Sequence, residues 1–204
     1  MPNWKTHLEI SNRINQVYGF KGMDLNKFLL GSVLPDINNS HIVKDISTKL
    51  YHEVTHYHSD DKPSYLVFYD KYKEQIDAND PMFVGVVTHL YTDYTWNNNF
   101  YTNIENRNYP EADRTKLRIM KQSDFQIFNN KFEKNFIDVS GVEEIRELSD
   151  EIKRIPEMRL IEDDIKRVIE FLKIENFYEA ELQFYTIEEL NELLEKTVLK
   201  LSQK

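Results

Sequence analysis

Met82-Phe-Val-Gly-Val-Val-Thr-His-Leu-Tyr-Thr-Asp-Tyr-Thr-Trp96 is apolar on nearly every side, and a helix that is hydrophobic all round is usually buried. Within it His89 and Asp93 stand four apart, so a helix stacks them on one side, one turn above the other. An imidazole and a carboxylate in such a setting cost free energy unless they pair or bind a metal. The stretch therefore predicts a polar site inside a helical core. All six histidines of the 204-residue chain lie within its first 89 positions, which makes the others the candidates to complete that site.

Composition supports a helical frame. Five glycines and six prolines leave little material for tight hairpins, and together with clear 3.6-residue patterns this predicts an all-α fold. With 40% hydrophobic and 30% charged residues, the chain reads as globular and not disordered. Its length suits a single domain with a substantial core. No stretch approaches the roughly 18 apolar residues of a membrane span. The beginning, Met-Pro-Asn-Trp-Lys-Thr-His, has no apolar signal core, so export by the usual route is not expected and a cytoplasmic protein is. The absence of cysteine excludes disulfides and thiolate-ligated metal, leaving His, Asp, Glu and water as ligands. Of the net charge of −9, the segment from Gly141 to Lys204 contributes −7, with 17 acidic and 10 basic residues. That balance argues against a nucleic-acid partner, which needs basic surface, and reads as a solvated helical face.

The rest of the chain divides into helical segments. Residues 4–18 form an amphipathic helix through Leu8, Ile10, Ile14 and Val17, with His7 on that same face. A second covers about Leu25 to Val33 and ends at Leu34-Pro35-Asp36; the residue before proline is pushed out of the helical region, which puts Asp36 just beyond the helix end. Residues 37–46 read as a loop. Ser47 is placed as the cap of a short helix through Tyr57, broken by Ser59-Asp-Asp-Lys-Pro63. Another helix spans Tyr65 to Ile76, and Asp80-Pro81 provides an N-cap and first-turn proline for the helix carrying His89. After Trp96, six asparagines between 97 and 108 mark a polar connection. Helices are then expected over about 111–136, 142–154, 162–173 and 186–201. Residues 1–140 would form the core of the site, and 141–204 either an appended acidic lobe or a continuation of the same bundle.

Taken singly, each polar residue has a bland explanation. His89/Asp93 can be a satisfied core hydrogen bond, His7 a structural residue and Asp36 a helix-terminal cap. The set carries more weight, because each member falls on a buried face or at a helix end. A competing motif is His52-Glu53-Val54-Thr55-His56, which matches His-Glu-x-x-His of zinc metalloproteases, with Glu53 as general base and Glu74 as a third ligand. Its helix is short, and it leaves His89/Asp93 unexplained.

Four segments in order, Thr6-His7-Leu-Glu-Ile10, Leu30-Gly-Ser-Val-Leu-Pro-Asp36, Thr55-His56-Tyr57 and His89-Leu-Tyr-Thr-Asp93, resemble the successive signatures of the zinc-dependent phospholipase C family. The resemblance covers residues 5–97. It implies the all-helical bundle shared with zinc-dependent single-strand nucleases, a metal site between helices, and ligands at His7, Asp36, His56, His89 and Asp93, with Asp93 bridging two ions. Under it, His52 and Glu53 belong to the helix surface. The chain also departs from the family. The His that follows the helical Asp by six residues is Asn99 here, no His follows His89, and Trp4 lies only three residues before His7. One well-furnished site (Asp36, His56, His89, Asp93) and a poorer one near His7 and Asp93 are expected, in place of three.

Nitrogen and carboxylate ligands suit one or two Zn²⁺ ions, with Ni²⁺, Fe²⁺ and Mn²⁺ as alternatives. Zn²⁺ can lower the pKa of its water from about 15.7 to roughly 7, and Asp36 is the expected proton acceptor. The expected activity is hydrolysis of a small intracellular phosphoester. The alternatives are a metal-stabilised helical interaction protein without catalysis, and the metalloprotease.

Overall fold

A computed structural model describes residues 3–37, 42–48, 51–132, 137–139, 141–173 and 178–203. Among them there is no strand, and the architecture is all-α. In chain order the helices are α1 (Trp4–Tyr18), α2 (Gly22–Gly31), α3 (Leu34–Ile37), α4 (His52–Thr55), α5 (Ser64–Lys71), α6 (Lys73–Asp77), α7 (Pro81–Asn106), α8 (Arg114–Phe128), α9 (Val142–Lys153), α10 (Glu162–Leu172) and α11 (Ile187–Leu201). No helix among the described residues is long and apolar enough to cross a membrane.

The organising element is α7. It is buried along its length, from Met82 and Phe83 to Trp96, Phe100 and Ile104. The expected polar connection after Trp96 is instead two and a half further turns of this helix. Five asparagines between 97 and 106 disfavour it by roughly 0.6 kcal/mol each. Burying Trp96, Phe100 and Ile104, spaced four apart on one face, returns about 2 kcal/mol each. Packing outweighs propensity here.

Helix α2 crosses α7 at very close range, which two glycines permit. A Cβ on Gly85 would run into the Phe28 carbonyl oxygen and lie 2.9 Å from the Ser32 nitrogen. A Cβ on Gly31 would strike the Met82 carbonyl and come within 3.2 Å of the Gly85 Cα. On one side of this crossing, α1, α9 and α10 close a core through Trp4, Leu8, Leu30, Leu148, Ile152, Ile165 and Val168. On the other, α8 and α11 enclose Ile10, Ile14, Trp96, Phe125, Leu190 and Leu194.

Several boundaries differ from the sequence expectation, each for a local reason. Helix α1 stops at Tyr18 because Gly19 turns left-handed (φ 74°) and its N–H reaches the Asn15 carbonyl at 2.7 Å. Pro35 does not merely end α2: it sits in the first turn of α3, where a missing N–H costs nothing, so Asp36 lies inside a short helix. Ser47 caps no helix; its N–H and hydroxyl both bond the buried Asp164 carboxylate of α10, at 2.9 and 2.8 Å. The segment from Tyr65 to Ile76 breaks at Tyr72 (φ −119°), whose hydroxyl donates to Glu157 at 3.0 Å. Helix α8 ends at Phe128, and the remainder of the expected helix, 133–136, lies outside the described residues, as do Asn38, Asn39 and Ser40 of the expected loop. Before α11, the buried Asp124 of α8 accepts three successive backbone N–H groups, from Gln183, Phe184 and Tyr185, at 2.7–2.8 Å.

Candidate metal centre

Four helices deliver polar side chains to one point inside this core. His7 comes from α1, Asp36 from α3, and His89 and Asp93 from adjacent turns of α7. His56 follows the single turn of α4. All five are at most 5% exposed.

Two of the imidazoles are oriented by backbone carbonyls. His89 donates from Nδ1 to the Ser32 carbonyl at 2.8 Å, which the α2–α7 crossing brings close. His56 donates from Nδ1 to the His52 carbonyl at 3.1 Å. A carbonyl can only accept, so each Nδ1 carries a proton and each Nε2 is the atom turned inward. Backbone carbonyls behind imidazoles orient ligands in this way in metal sites generally.

The inward atoms lie close together. His56 Nε2 lies 3.4 Å from Asp36 Oδ1, 3.4 Å from Asp93 Oδ2 and 3.4 Å from His89 Nε2. His89 Nε2 lies 3.4 Å from Asp93 Oδ2 and 4.0 Å from Asp36 Oδ2. These separations are long for N–H···O bonds, which cluster near 2.9–3.0 Å. The 3.4 Å separations among His56, His89 and Asp93 are close to the edge of a tetrahedron, about 3.3 Å, for ligands roughly 2.0–2.1 Å from one ion. His7 extends the cluster. Its ring stacks on His89 with centroids 4.0 Å apart, and its Nε2 lies 3.4 Å from Asp93 Oδ1. The two Asp93 oxygens thus face different imidazoles.

Satisfaction of polar groups points the same way. Asp36 Oδ1, both Asp93 oxygens and both His7 nitrogens are buried with no hydrogen-bond partner. Leaving so many donors and acceptors unmet would cost roughly 1–3 kcal/mol each, unless a cation takes up the lone pairs. Three overlapping groups can each hold one: His7, Asp36 and His89; His56, His89 and Asp93; and Asp36, His52 and His56.

Electrostatics separate the members. Burial opposes ionisation of Asp93, yet the surrounding imidazoles of His89, His56 and His7 hold its carboxyl well below the usual range. Asp36 is likewise lowered against its burial, by His56 and His89. Burial disfavours a charged His56, but both carboxylates overcome it and raise it to about 9. His7 is lowered by burial and by the neighbouring His89.

All five residues picked out in the sequence converge here. His52 differs from its expected place on the helix surface: it is half-buried, stacks on His56 at 3.7 Å and falls with Asp36 and His56 in one candidate group. Glu53 beside it is exposed. Trp4 is a core residue, its indole edge-on to Phe171 of α10 at 5.4 Å. Asn99, six residues past Asp93, accepts from Asn103 and Tyr185 at 3.1 Å each. His41 lies outside the described residues. Sequence reasoning missed the Ser32 carbonyl, which no side-chain pattern announces.

A protein-family model described as zinc dependent phospholipase C matches residues 6–168. The match runs well beyond residue 97 and takes in α8, α9 and most of α10. No curated protein and no solved structure matches the chain.

Proposed function

The chain belongs to the zinc dependent phospholipase C family, and from that premise we propose that it hydrolyses a phosphoric ester at a metal centre held by Asp36, His56, His89 and Asp93. The observation that carries this reading is the set of 3.4 Å separations among buried nitrogen and oxygen atoms of those four residues. A mixed imidazole and carboxylate set without sulfur fits Zn²⁺, with Ni²⁺, Fe²⁺ or Mn²⁺ as competitors. His7, facing the other Asp93 oxygen, offers a second, sparser position.

When bound, Zn²⁺ supplies Lewis acidity toward a phosphoryl oxygen and an acidic water at neutral pH. The protein's part is to hold and to exclude. Carbonyls of Ser32 and His52 fix two imidazoles before anything binds, so little reorganisation is needed. Asp36, held below the usual carboxylate range by His56 and His89 and with an unbonded oxygen beside His56, is the proposed proton acceptor. A small phosphoester in the cytoplasm suits this buried centre better than a bilayer lipid.

Asn99 favours a second reading. Where the resemblance calls for a further His, its side chain is spent on Asn103 and Tyr185, so the chain lacks that extra ligand. A centre with fewer ions can be purely structural, in a helical interaction protein. Hydrolysis of chromogenic phosphodiester and phosphomonoester substrates separates the two: turnover that disappears with chelation supports the enzyme, and none with either substrate supports the structural reading.

Variants at 53 and 56 test the site against the protease alternative. Glu53 is exposed, so Glu53→Gln is expected to leave metal content and turnover unchanged. A protease base at that position predicts a fall of roughly 10²–10⁴-fold in peptide cleavage. His56→Ala is expected to release metal, whereas His52→Ala retains it. Metal retained in His56→Ala contradicts the assignment.

A further inference from the structure

Lys121 is a buried cation with no role in the centre described above. It leaves α8 one turn from Leu117 and one turn from Phe125, on the inward face, and is 7% exposed. Its ammonium lies 3.4 Å from Asn97 Oδ1, 4.5 Å from the Phe100 ring centroid and 5.7 Å from that of Phe125. Aromatic faces attract a cation but carry no net charge. Among the described residues no carboxylate lies within ion-pair distance of it. Asp124, one turn along α8, gives its oxygens to the N–H groups of residues 183–185. A desolvated ammonium without a counter-ion is costly, and burial pushes Lys121 below the ordinary lysine value.

Its location gives that cost a use. Asn97 stands four residues after Asp93 on α7, so the two share a face about 6 Å apart. The ammonium held by Asn97 is therefore on the side of α7 that carries Asp93, and it lies within the field of Asp93 and of the cationic Arg118. One divalent ion neutralises Asp36 and Asp93 together. Lys121 then leaves an unbalanced positive charge beside it, the complement of an anion.

We propose that Lys121, positioned by Asn97, forms an anion-binding position beside the metal centre and takes an ionised oxygen of the phosphoryl group. The identity of the anion rests on the phosphoester reading; the charge argument does not.

The probe is inorganic phosphate, titrated calorimetrically into the metal-loaded full-length chain at fixed ionic strength. Lys121→Met removes the charge at similar volume and is expected to weaken phosphate by at least about tenfold, since charge-assisted bonds are the strong ones. Lys121→Arg should hold affinity within a few-fold, and metal content should be equal in all three proteins. Equal affinity in Lys121→Met, or no phosphate binding by the parent protein, overturns the proposal. Should Lys121→Met fail to fold, the methylated Lys121 resonance, assigned with Lys121→Arg, must shift on addition of phosphate; an unmoved resonance overturns it equally. A parent protein that binds phosphate through Lys121 yet cleaves no ester would sink the hydrolase reading and leave this one standing.

Discussion

Asp93→Asn is expected to strip the protein of most of its metal and to lower its melting temperature by roughly 10 °C. Asp93 is the common neighbour of the centre, with one oxygen toward His7 and the other toward His56 and His89. Asparagine keeps the shape and removes the charge. The imidazoles then remain buried around a carbonyl, and breaking a buried charged set in this way costs about 3–5 kcal/mol. For a chain of this size each kcal/mol moves the transition by roughly 2–4 °C. The lost linkage to bound metal adds to the same sum. Tyr94→Phe, on the next and exposed position of α7, is the control and should change neither quantity. Full metal content in Asp93→Asn, by elemental analysis, would remove Asp93 from the site.

Gly85→Ala tests how the fold builds the centre without touching any ligand. In an ordinary helix interior this change stabilises by about 1 kcal/mol. Here the added methyl meets the Phe28 carbonyl, with Ser32 N at 2.9 Å and Gly31 C at 3.0 Å. All three are backbone atoms that cannot rotate away, so α2 and α7 must separate. Overpacking of this kind costs roughly 1–3 kcal/mol, enough to reverse the sign. Separation also draws the Ser32 carbonyl from His89 Nδ1, now 2.8 Å apart, so metal affinity should fall by about 10–100-fold as for other lost ligand-orienting partners. Urea unfolding and a competitive chelator titration measure the two effects. A raised unfolding midpoint would contradict the close crossing.

Much of this was legible in the amino-acid order because the governing signals are local. The apolar surround of His89 and Asp93 announces a buried helix, and Leu8, Ile10 and Ile14 announce α1. What escaped depends on contacts between distant segments. The asparagines after Trp96 read as a break because their propensity is visible, while the hollow that receives Phe100 and Ile104 is not. Tyr72 interrupts a regular pattern for a carboxylate 85 residues away. Lys121 sits where an amphipathic helix often carries a lysine whose head reaches water, and only the packing of α7 against α8 shows it enclosed. The five clustered residues were nominated by type and resemblance. Their convergence depends on two glycines whose role appears only when the helices are seen to cross.

Elemental analysis of the protein purified without added metal tests the central claim most directly. One to two equivalents of a transition metal, chiefly zinc, are expected, and removal by a strong chelator should lower the melting temperature and abolish turnover together. A metal-free protein of undiminished stability, taking up no zinc when it is supplied, would contradict both the catalytic and the structural reading of the centre.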